Sequence, residues 1–339
     1  MTVTVRQGAS GVRAWLAPAL VLAALAGVFG AAAVDYIRRY DLPAAAVVGI
    51  YVCFVLLLLL VIAPGFSSSR HLIATHVGPK WTAVLLPPAV CLCYCTYAAG
   101  TGDFRLSAFG RLLALAAFPC SLYTLAPVLR LSRFAWQDAC AAVFLVAAVL
   151  SGALKGIWAV PANLDFMTRL ALIGVASWCW VFLRPVPQLS YEFRLSRQIL
   201  RAALLNFVLF AAIAIPGGWL IGFTGWQVRW HGGIAFGLNL LEILLFIALL
   251  EETFFRGFLQ SLLSSGFGSW WKGQLVTSVL FGLFHILHAP FPNWRYVLLA
   301  TVAGWFYGSA YRQGGVVASS LTHALVDTVW RTWFTRLLP

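Results

Sequence analysis

Two adjacent glutamates, Glu251 and Glu252, lie within an apolar run of the sequence, in the stretch LLEETFFRGFLQ at residues 249–260. The chain contains only ten acidic residues among its 339. Because positions four apart are neighbours on a helix, Glu252 is predicted to form an ion pair with Arg256. Glu251 points about 100° away from Glu252 and lacks that partner. The spacing therefore predicts one neutralised carboxylate and one carboxylate free to act as a general base.

A second polar cluster follows in the stretch FGLFHILH, residues 281–288. His285 lies one helical turn after Phe281, deep in an apolar run, and a histidine in such a place can hold or relay a proton. His288 lies on nearly the same face but is followed at once by Ala-Pro-Phe-Pro. We therefore interpret His285 as functional and His288 as the solvated end of the same run.

A third cluster occurs in THALVDTVW, residues 322–330, where His323 and Asp327 are four apart and share one helix face. These two side chains could form a hydrogen-bonded pair that seals a helix interface, a metal-ligand pair, or a site that polarises a substrate carbonyl. Shortly before them, Gly304 and Gly308 are also four apart, which allows two helices to approach closely.

The elements that must position these clusters are membrane-spanning helices. The chain is 62% hydrophobic and 10% charged, whereas soluble domains are about 45–50% apolar and about 25% charged. Apolar runs long enough to cross about 30 Å of hydrocarbon recur along the whole sequence. Because these runs are continuous rather than alternating, they predict an all-α, polytopic transmembrane helix bundle and exclude a strand barrel.

We expect about eleven spans, with approximate cores at residues 14–34, 43–63, 81–99, 107–128, 137–153, 168–184, 201–222, 233–255, 273–288, 297–311 and 315–334. The longest polar stretch between them, RPVPQLSYEFRLSRQ, marks a boundary. Residues 1–185 are predicted to form an N-terminal multi-span region of unknown role, and residues 195–339 a second bundle. Ionisable side chains lie inside the predicted spans mainly in this second bundle, and such residues indicate function.

The net charge of +13 does not indicate a nucleic-acid partner. The basic residues are spread singly and in pairs between apolar runs, as in loops that contact the headgroups of the lipid bilayer. The seven cysteines all precede residue 180, and none has the spacing of a zinc site with a nearby histidine. They are interpreted as small packing residues.

Three motifs occur in order on successive apolar helices: Glu251-Glu252-x-x-x-Arg256, Phe281-x-x-x-His285 and His323-x-x-x-Asp327. In this order they resemble the CAAX protease and bacteriocin-processing family, also called the Abi family, of glutamate-type intramembrane endopeptidases. The resemblance covers roughly residues 195–339 and leaves the first 185 residues unexplained.

The resemblance implies a role for each matching residue. Glu251 would be the general base that activates water, assisted by His285, and Glu252 with Arg256 would be a structural ion pair. This assignment agrees with the helical spacing of the two glutamates. Phe281 supports the motif.

The resemblance further implies that His323 and the residue four positions later form the oxyanion site. In the prenyl-protein proteases that later residue is commonly Asn, but here it is Asp327. An ionised aspartate would repel an oxyanion, so Asp327 must either be protonated or orient His323 instead.

Two other functions fit the same residues. The first is a metal-dependent membrane protease with a zinc ion bound by Glu251, His285, His323 and Asp327. The second is a non-catalytic membrane transporter, immunity factor or scaffold, because buried carboxylates and histidines also form proton relays. The sequence has no His-Glu-x-x-His motif, no Gly-x-Ser-x-Gly motif and no cysteine after residue 179, and we expect no cofactor.

The expected substrate is a membrane-associated protein or peptide, with processing of C-terminal tails or sorting signals as one possibility. Eukaryotic members of the family remove the last three residues of prenylated proteins, whereas bacterial members act on other targets. The composition suggests a bacterial protein, so we expect a multi-pass protein of the bacterial cytoplasmic membrane.

Overall fold

The computed structural model describes residues 11–159 and 164–337. Residues 1–10, 160–163 and 338–339 lie outside the described residues. The predicted start of the N-terminal region at residue 1 and the predicted end of the second bundle at residue 339 are therefore among the residues not described. The chain separates into two compact units. The first unit comprises Met1–Pro127 and Cys140–Leu183, and the second comprises Val128–Ala139 and Arg184–Pro339.

The first unit is a helical bundle in which most helices are long and apolar. Its helices are α1 (Gly11–Ala32), α2 (Val34–Arg39), α3 (Ala44–Ile62), α4 (Ser67–His76), α5 (Gly78–Thr101), α6 (Leu106–Leu125), most of α7 (Trp136–Leu150) and α8 (Phe166–Trp178). Helices α3 and α5 pack closely because Gly49 and Gly100 lack side chains, and a Cβ on Gly49 would lie only 2.7 Å from the Gly100 Cα. The Trp178 indole donates a hydrogen bond of 2.8 Å to the Leu60 carbonyl.

The second unit contains all three polar clusters. Its elements are α9 (Arg197–Leu220), β1 (Thr224–Trp226), α10 (Gly233–Ile243), α11 (Leu249–Glu252), α12 (Ser261–Gly266), α13 (Trp270–Leu283), α14 (Trp294–Trp333) and β2 (Phe334–Arg336). Helices α10, α11 and α12 form one continuous run, joined by π-helical turns at Leu244–Ala248 and Thr253–Gln260. The two strands pair antiparallel, with Gly225 opposite Thr335.

Helix α14 is bent at two glycines. Gly315 has a φ of +71°, a left-handed conformation that glycine adopts readily, and Gly314 is also non-helical. The bend divides α14 into an arm before these glycines, with Gly304 and Gly308, and an arm after them, with His323. A Cβ on Gly304 would lie 3.0 Å from the Ser278 Cα, so this glycine allows the close approach of α13 and α14 that the sequence predicted.

The segment Val128–Ala139, which includes the first residues of α7, belongs to the second unit and contains one partner of a buried ion pair. The Arg184 guanidinium donates hydrogen bonds of 3.0 Å to both carboxylate oxygens of Asp138. It also donates to the carbonyls of Leu131 and Arg133. A segment that the sequence places in the N-terminal region is therefore part of the unit that contains the polar clusters, while the roles of the two regions stay a prediction.

The predicted all-α transmembrane bundle is confirmed. Among the described residues, seven helical runs are long and apolar enough to cross a membrane. The other four predicted cores fall on α7, on α13 and on the two arms of α14, which do not meet the same criteria. The predicted core at 273–288 is too long, because α13 ends at Leu283. Pro290 and Pro292 follow and cannot continue a helix.

Candidate active site

The two adjacent glutamates lie in different environments. Glu252 is at the end of α11 and its side chain is completely buried. Glu251 faces a cavity, and 34% of its side chain is exposed. The roughly 100° between successive helical residues produces this difference, because one residue points into the protein while its neighbour points into the cavity.

The buried carboxylate of Glu252 is fully hydrogen-bonded. Its Oε1 accepts a hydrogen bond of 2.8 Å from Arg256 Nη1 and lies 2.8 Å from His323 Nδ1. Its Oε2 accepts a hydrogen bond from the Ser319 hydroxyl. The ion pair expected from the i, i+4 spacing is thus present. Its carboxylate also contacts the second arm of α14, which the spacing could not reveal.

Arg256 is held on several sides. It is completely buried, and its Nη2 donates a hydrogen bond of 3.2 Å to the Gly304 carbonyl. The guanidinium carbon lies 4.4 Å from the centre of the Phe281 ring and 5.2 Å from that of Tyr307. These are cation–π distances. Phe281, which the sequence marked only as part of a motif, therefore packs against the buried cation.

His323 lies between the two glutamates. Because Nδ1 contacts the Glu252 carboxylate, an acceptor, we assign the ring hydrogen to Nδ1. Nε2 lies 4.0 Å from a Glu251 oxygen and 3.6 Å from an Asp327 oxygen. The Tyr307 ring stacks on the imidazole with centroids 4.6 Å apart. The ring is therefore fixed on one edge by a hydrogen bond and on one face by an aromatic side chain.

His285 lies just after the end of α13. Its Nδ1 is 2.9 Å from the Phe281 carbonyl, so Nδ1 donates and the neutral ring has its acceptor at Nε2. The Tyr296 ring packs against it with centroids 4.5 Å apart. His288 also stacks on His285, at 5.4 Å. Although exposed, His288 is thus part of the same aromatic cluster.

One cavity of about 500 Å³ joins these groups. Its wall includes all four residues that the sequence nominated for chemistry, Glu251, His285, His323 and Asp327. No hydrogen bond links Glu251 directly to His285 among the described residues, and both side chains face the same space. Much of the remaining wall is apolar and comes from α9 and the first arm of α14.

Sequence reasoning missed Ser319, Tyr296 and Tyr307. Ser319 lies four residues before His323, so a helical spacing argument starting from that histidine could have found it. Both tyrosines lie in the first arm of α14, and neither belongs to one of the three motifs. In residues 11–159 and 164–337, no three side chains of His, Cys, Asp or Glu are grouped so that they could hold a metal ion.

Comparison with known proteins gives one family. Residues 233–329 match the family described as type II CAAX prenyl endopeptidase Rce1-like. No curated protein and no solved structure matches the chain. The matched segment contains both glutamates, both motif histidines and Asp327. The seven apolar helical runs are those of a multi-pass membrane protein. The match agrees with the resemblance that the three motifs indicate, and it covers residues 233–329, less than a third of the chain.

Proposed function

We propose that this protein is a metal-independent intramembrane endopeptidase that hydrolyses peptide bonds of membrane-associated proteins or peptides. One observation carries the proposal. Side chains from three separate segments of the chain converge on a single cavity of about 500 Å³, with two carboxyl side chains and three histidines in its wall. A water-filled space with a base and hydrogen-bond donors is what hydrolysis of an amide requires.

In this proposal Glu251 is the general base. Its carboxylate takes a proton from a water molecule, and the resulting hydroxide adds to the carbonyl carbon of the substrate. The acceptor nitrogen of His285, which lines the same cavity, orients that water through its own hydrogen bond. When the C–N bond breaks, the proton held by Glu251 passes to the leaving amine. The partial exposure of Glu251 supports this role, because a base must be reachable by water.

His323 is proposed to stabilise the oxyanion through Nε2. Glu252 accepts from Nδ1 and holds the ring in position, and Tyr307 restricts its rotation. The carboxylate of Glu251 near Nε2 favours a hydrogen on that nitrogen, which turns it into a donor. Asp327, 3.6 Å from Nε2, is proposed to be protonated and to act as a second donor to the oxyanion. Such a preorganised donor is worth about 10²–10³ in rate.

The cavity wall supports an apolar substrate segment. Its apolar lining includes Phe207, Phe210 and Ala211 of α9 and Ala300 and Ala303 of α14. Burial of apolar side chains there would stabilise the complex by about 25 cal/mol per Å². A membrane-embedded tail or sorting signal fits this wall, and we propose the bacterial cytoplasmic membrane as the location.

The function is tested by comparing protein termini in membranes and secreted fractions of cells that make either the wild-type chain or Glu251→Gln at equal abundance. We expect specific new termini only with the wild type, and these termini identify the substrate. Glu242→Gln is the matched control, because Glu242 is an exposed glutamate of the same helical run that does not line the cavity. If the wild type, Glu251→Gln and Glu242→Gln give identical termini while deletion of the gene still has a phenotype, a transporter or immunity protein is favoured.

Asp327→Asn is expected to retain proteolysis within about tenfold, because an amide NH₂ can donate a hydrogen bond where a protonated aspartate would. Asp327→Ala is expected to lose about 10²-fold, the usual cost of removing an oxyanion donor. Initial rates on an identified substrate measure both. If Asn is as inactive as Ala, the negative charge of Asp327 orients His323 instead.

Chelators are expected to leave the rate of proteolysis unchanged, because the proposed chemistry uses only side chains and water. The purified protein would be incubated with EDTA or 1,10-phenanthroline, dialysed, and assayed with and without added Zn²⁺. Loss of activity that Zn²⁺ restores would replace the proposal with a metalloprotease using the same four side chains.

A further inference from the structure

A second, smaller cavity of about 180 Å³, here called the rim cavity, lies beside the active cavity. The two cavities share Phe223 and Arg336 in their walls. The rest of the rim cavity is formed by residues 290–295 and Leu337. None of its described lining residues is acidic. It is therefore a positively charged recess outside the proposed catalytic machinery.

Two arginines of the rim cavity have unused hydrogen-bonding capacity. Within residues 11–159 and 164–337, neither Arg295 nor Arg336 has an ion-pair partner. Arg295 Nη1 makes one long hydrogen bond, 3.4 Å, to the Gly222 carbonyl. Its Nε is buried and has no hydrogen-bond partner among the described residues. A buried donor without a partner is costly, so an oxyanion that accepts from it would stabilise the site.

Exposed apolar side chains surround these two cations. Phe291, Trp294 and Leu337 line the rim cavity and are 69%, 57% and 47% exposed. Trp226 is also exposed, and its strand partner is Phe334, which lies two residues before Arg336 in β2. Tryptophan is enriched at the level of the lipid headgroups. Two arginines in the same cavity wall as exposed apolar side chains match a ligand with a phosphate and hydrocarbon chains.

We propose that the rim cavity binds the phosphate of an anionic phospholipid headgroup, with Arg295 and Arg336 as its donors. The exposed rings would contact the acyl chains, which a soluble anion lacks. Basic pockets of this kind between membrane helices bind anionic headgroups. Because Arg336 and Phe223 belong to both cavities, the bound lipid lies directly against the wall of the active cavity.

The test is native mass spectrometry of the purified full-length protein in detergent, titrated with phosphatidylglycerol or with phosphatidylcholine. We expect one phosphatidylglycerol to bind with a dissociation constant ~10-fold lower than that of phosphatidylcholine. Arg295→Gln with Arg336→Gln should remove this preference. Arg295→Lys with Arg336→Lys, which keeps both charges, should retain most of it. Equal binding of the two lipids by the wild type would overturn the proposal.

The matched control is Arg38→Gln with Arg39→Gln, which removes the same charge from two exposed arginines at the end of α2. We expect its phosphatidylglycerol affinity to stay within about twofold of the wild type. If Arg295→Gln with Arg336→Gln and Arg38→Gln with Arg39→Gln lose phosphatidylglycerol affinity equally, the net charge of the protein determines the affinity and the proposal is overturned. If a short peptide with a free C-terminal carboxylate displaces the lipid, and the same peptide with a C-terminal amide does not, the rim cavity binds a peptide carboxylate instead.

Discussion

Glu251→Gln is expected to lower the rate of proteolysis by about 10²–10⁴-fold, the usual contribution of a general base. The substitution keeps the size and hydrogen-bonding ability of the side chain but removes the proton acceptor. Because 34% of the Glu251 side chain is exposed and it has no short hydrogen bond among the described residues, folding should be little affected. Initial rates and the thermal unfolding midpoint in detergent measure the two effects.

The control for this substitution is Glu242→Gln in the same helical run. It removes a glutamate that is exposed and lines neither cavity, so both the rate and the unfolding midpoint should match the wild type. Wild-type activity in Glu251→Gln would exclude Glu251 as the base. A similar loss in both variants would point to a general effect of negative charge on this run of helices.

Glu252→Gln is expected to destabilise the fold by about 3–5 kcal/mol, because it leaves the buried Arg256 guanidinium without a counter-charge. The carboxylate also accepts from Ser319 and His323, and a neutral amide cannot satisfy three donors equally well. The thermal midpoint should fall by several degrees. Activity should fall too, because His323 loses the acceptor that fixes its ring.

A double variant separates the ion pair from other effects. Glu252→Gln combined with Arg256→Met removes both charges and should recover part of the lost stability, because no uncompensated charge remains. Glu251→Gln, at the adjacent position, serves as a comparison, because it is expected to lose proteolytic activity while keeping the stability of the wild type. If Glu252→Gln unfolds at the wild-type temperature, the ion pair between Glu252 and Arg256 contributes little to the free energy of unfolding. The buried carboxylate then has a role other than stabilising the fold.

Short-range relations within the site were accessible from the sequence. Four-residue spacing placed Arg256 beside Glu252 and His323 beside Asp327, and both pairs are in contact. The direction of Glu251, away from the arginine, also followed from helical geometry. These inferences succeeded because a helix fixes the relative positions of its own residues wherever it packs.

Relations between helices could not be derived in this way. The contact of His323 with Glu252 joins residues 71 positions apart. The Ser319 hydroxyl, on the second arm of α14, donates hydrogen bonds to Glu252 and to the carbonyl of Tyr307 on the first arm. Such contacts depend on packing and on the bend at Gly315. The π-helical turns around α11 also have no sequence signature that periodicity could reveal.

The end of α13 illustrates a different difficulty. Hydrophobicity continues to residue 287, so the apolar pattern extends the span past Leu283. The chain instead turns, with His285 N bonded to the Gly282 carbonyl and Ile286 N to that of Leu283. Hydropathy measures the preference of side chains for lipid, but it does not report where backbone hydrogen bonding changes.

The separation of residues along the chain has a consequence for biosynthesis. Glu252 and Arg256 emerge from the ribosome within four residues of each other, so their charges can neutralise one another as soon as that helix forms. His323 and Asp327 are made some seventy residues later, on the last helix. A nascent chain therefore inserts its buried charges as a compensated pair, and the proposed hydrolytic centre is complete only once the second arm of α14 has been made.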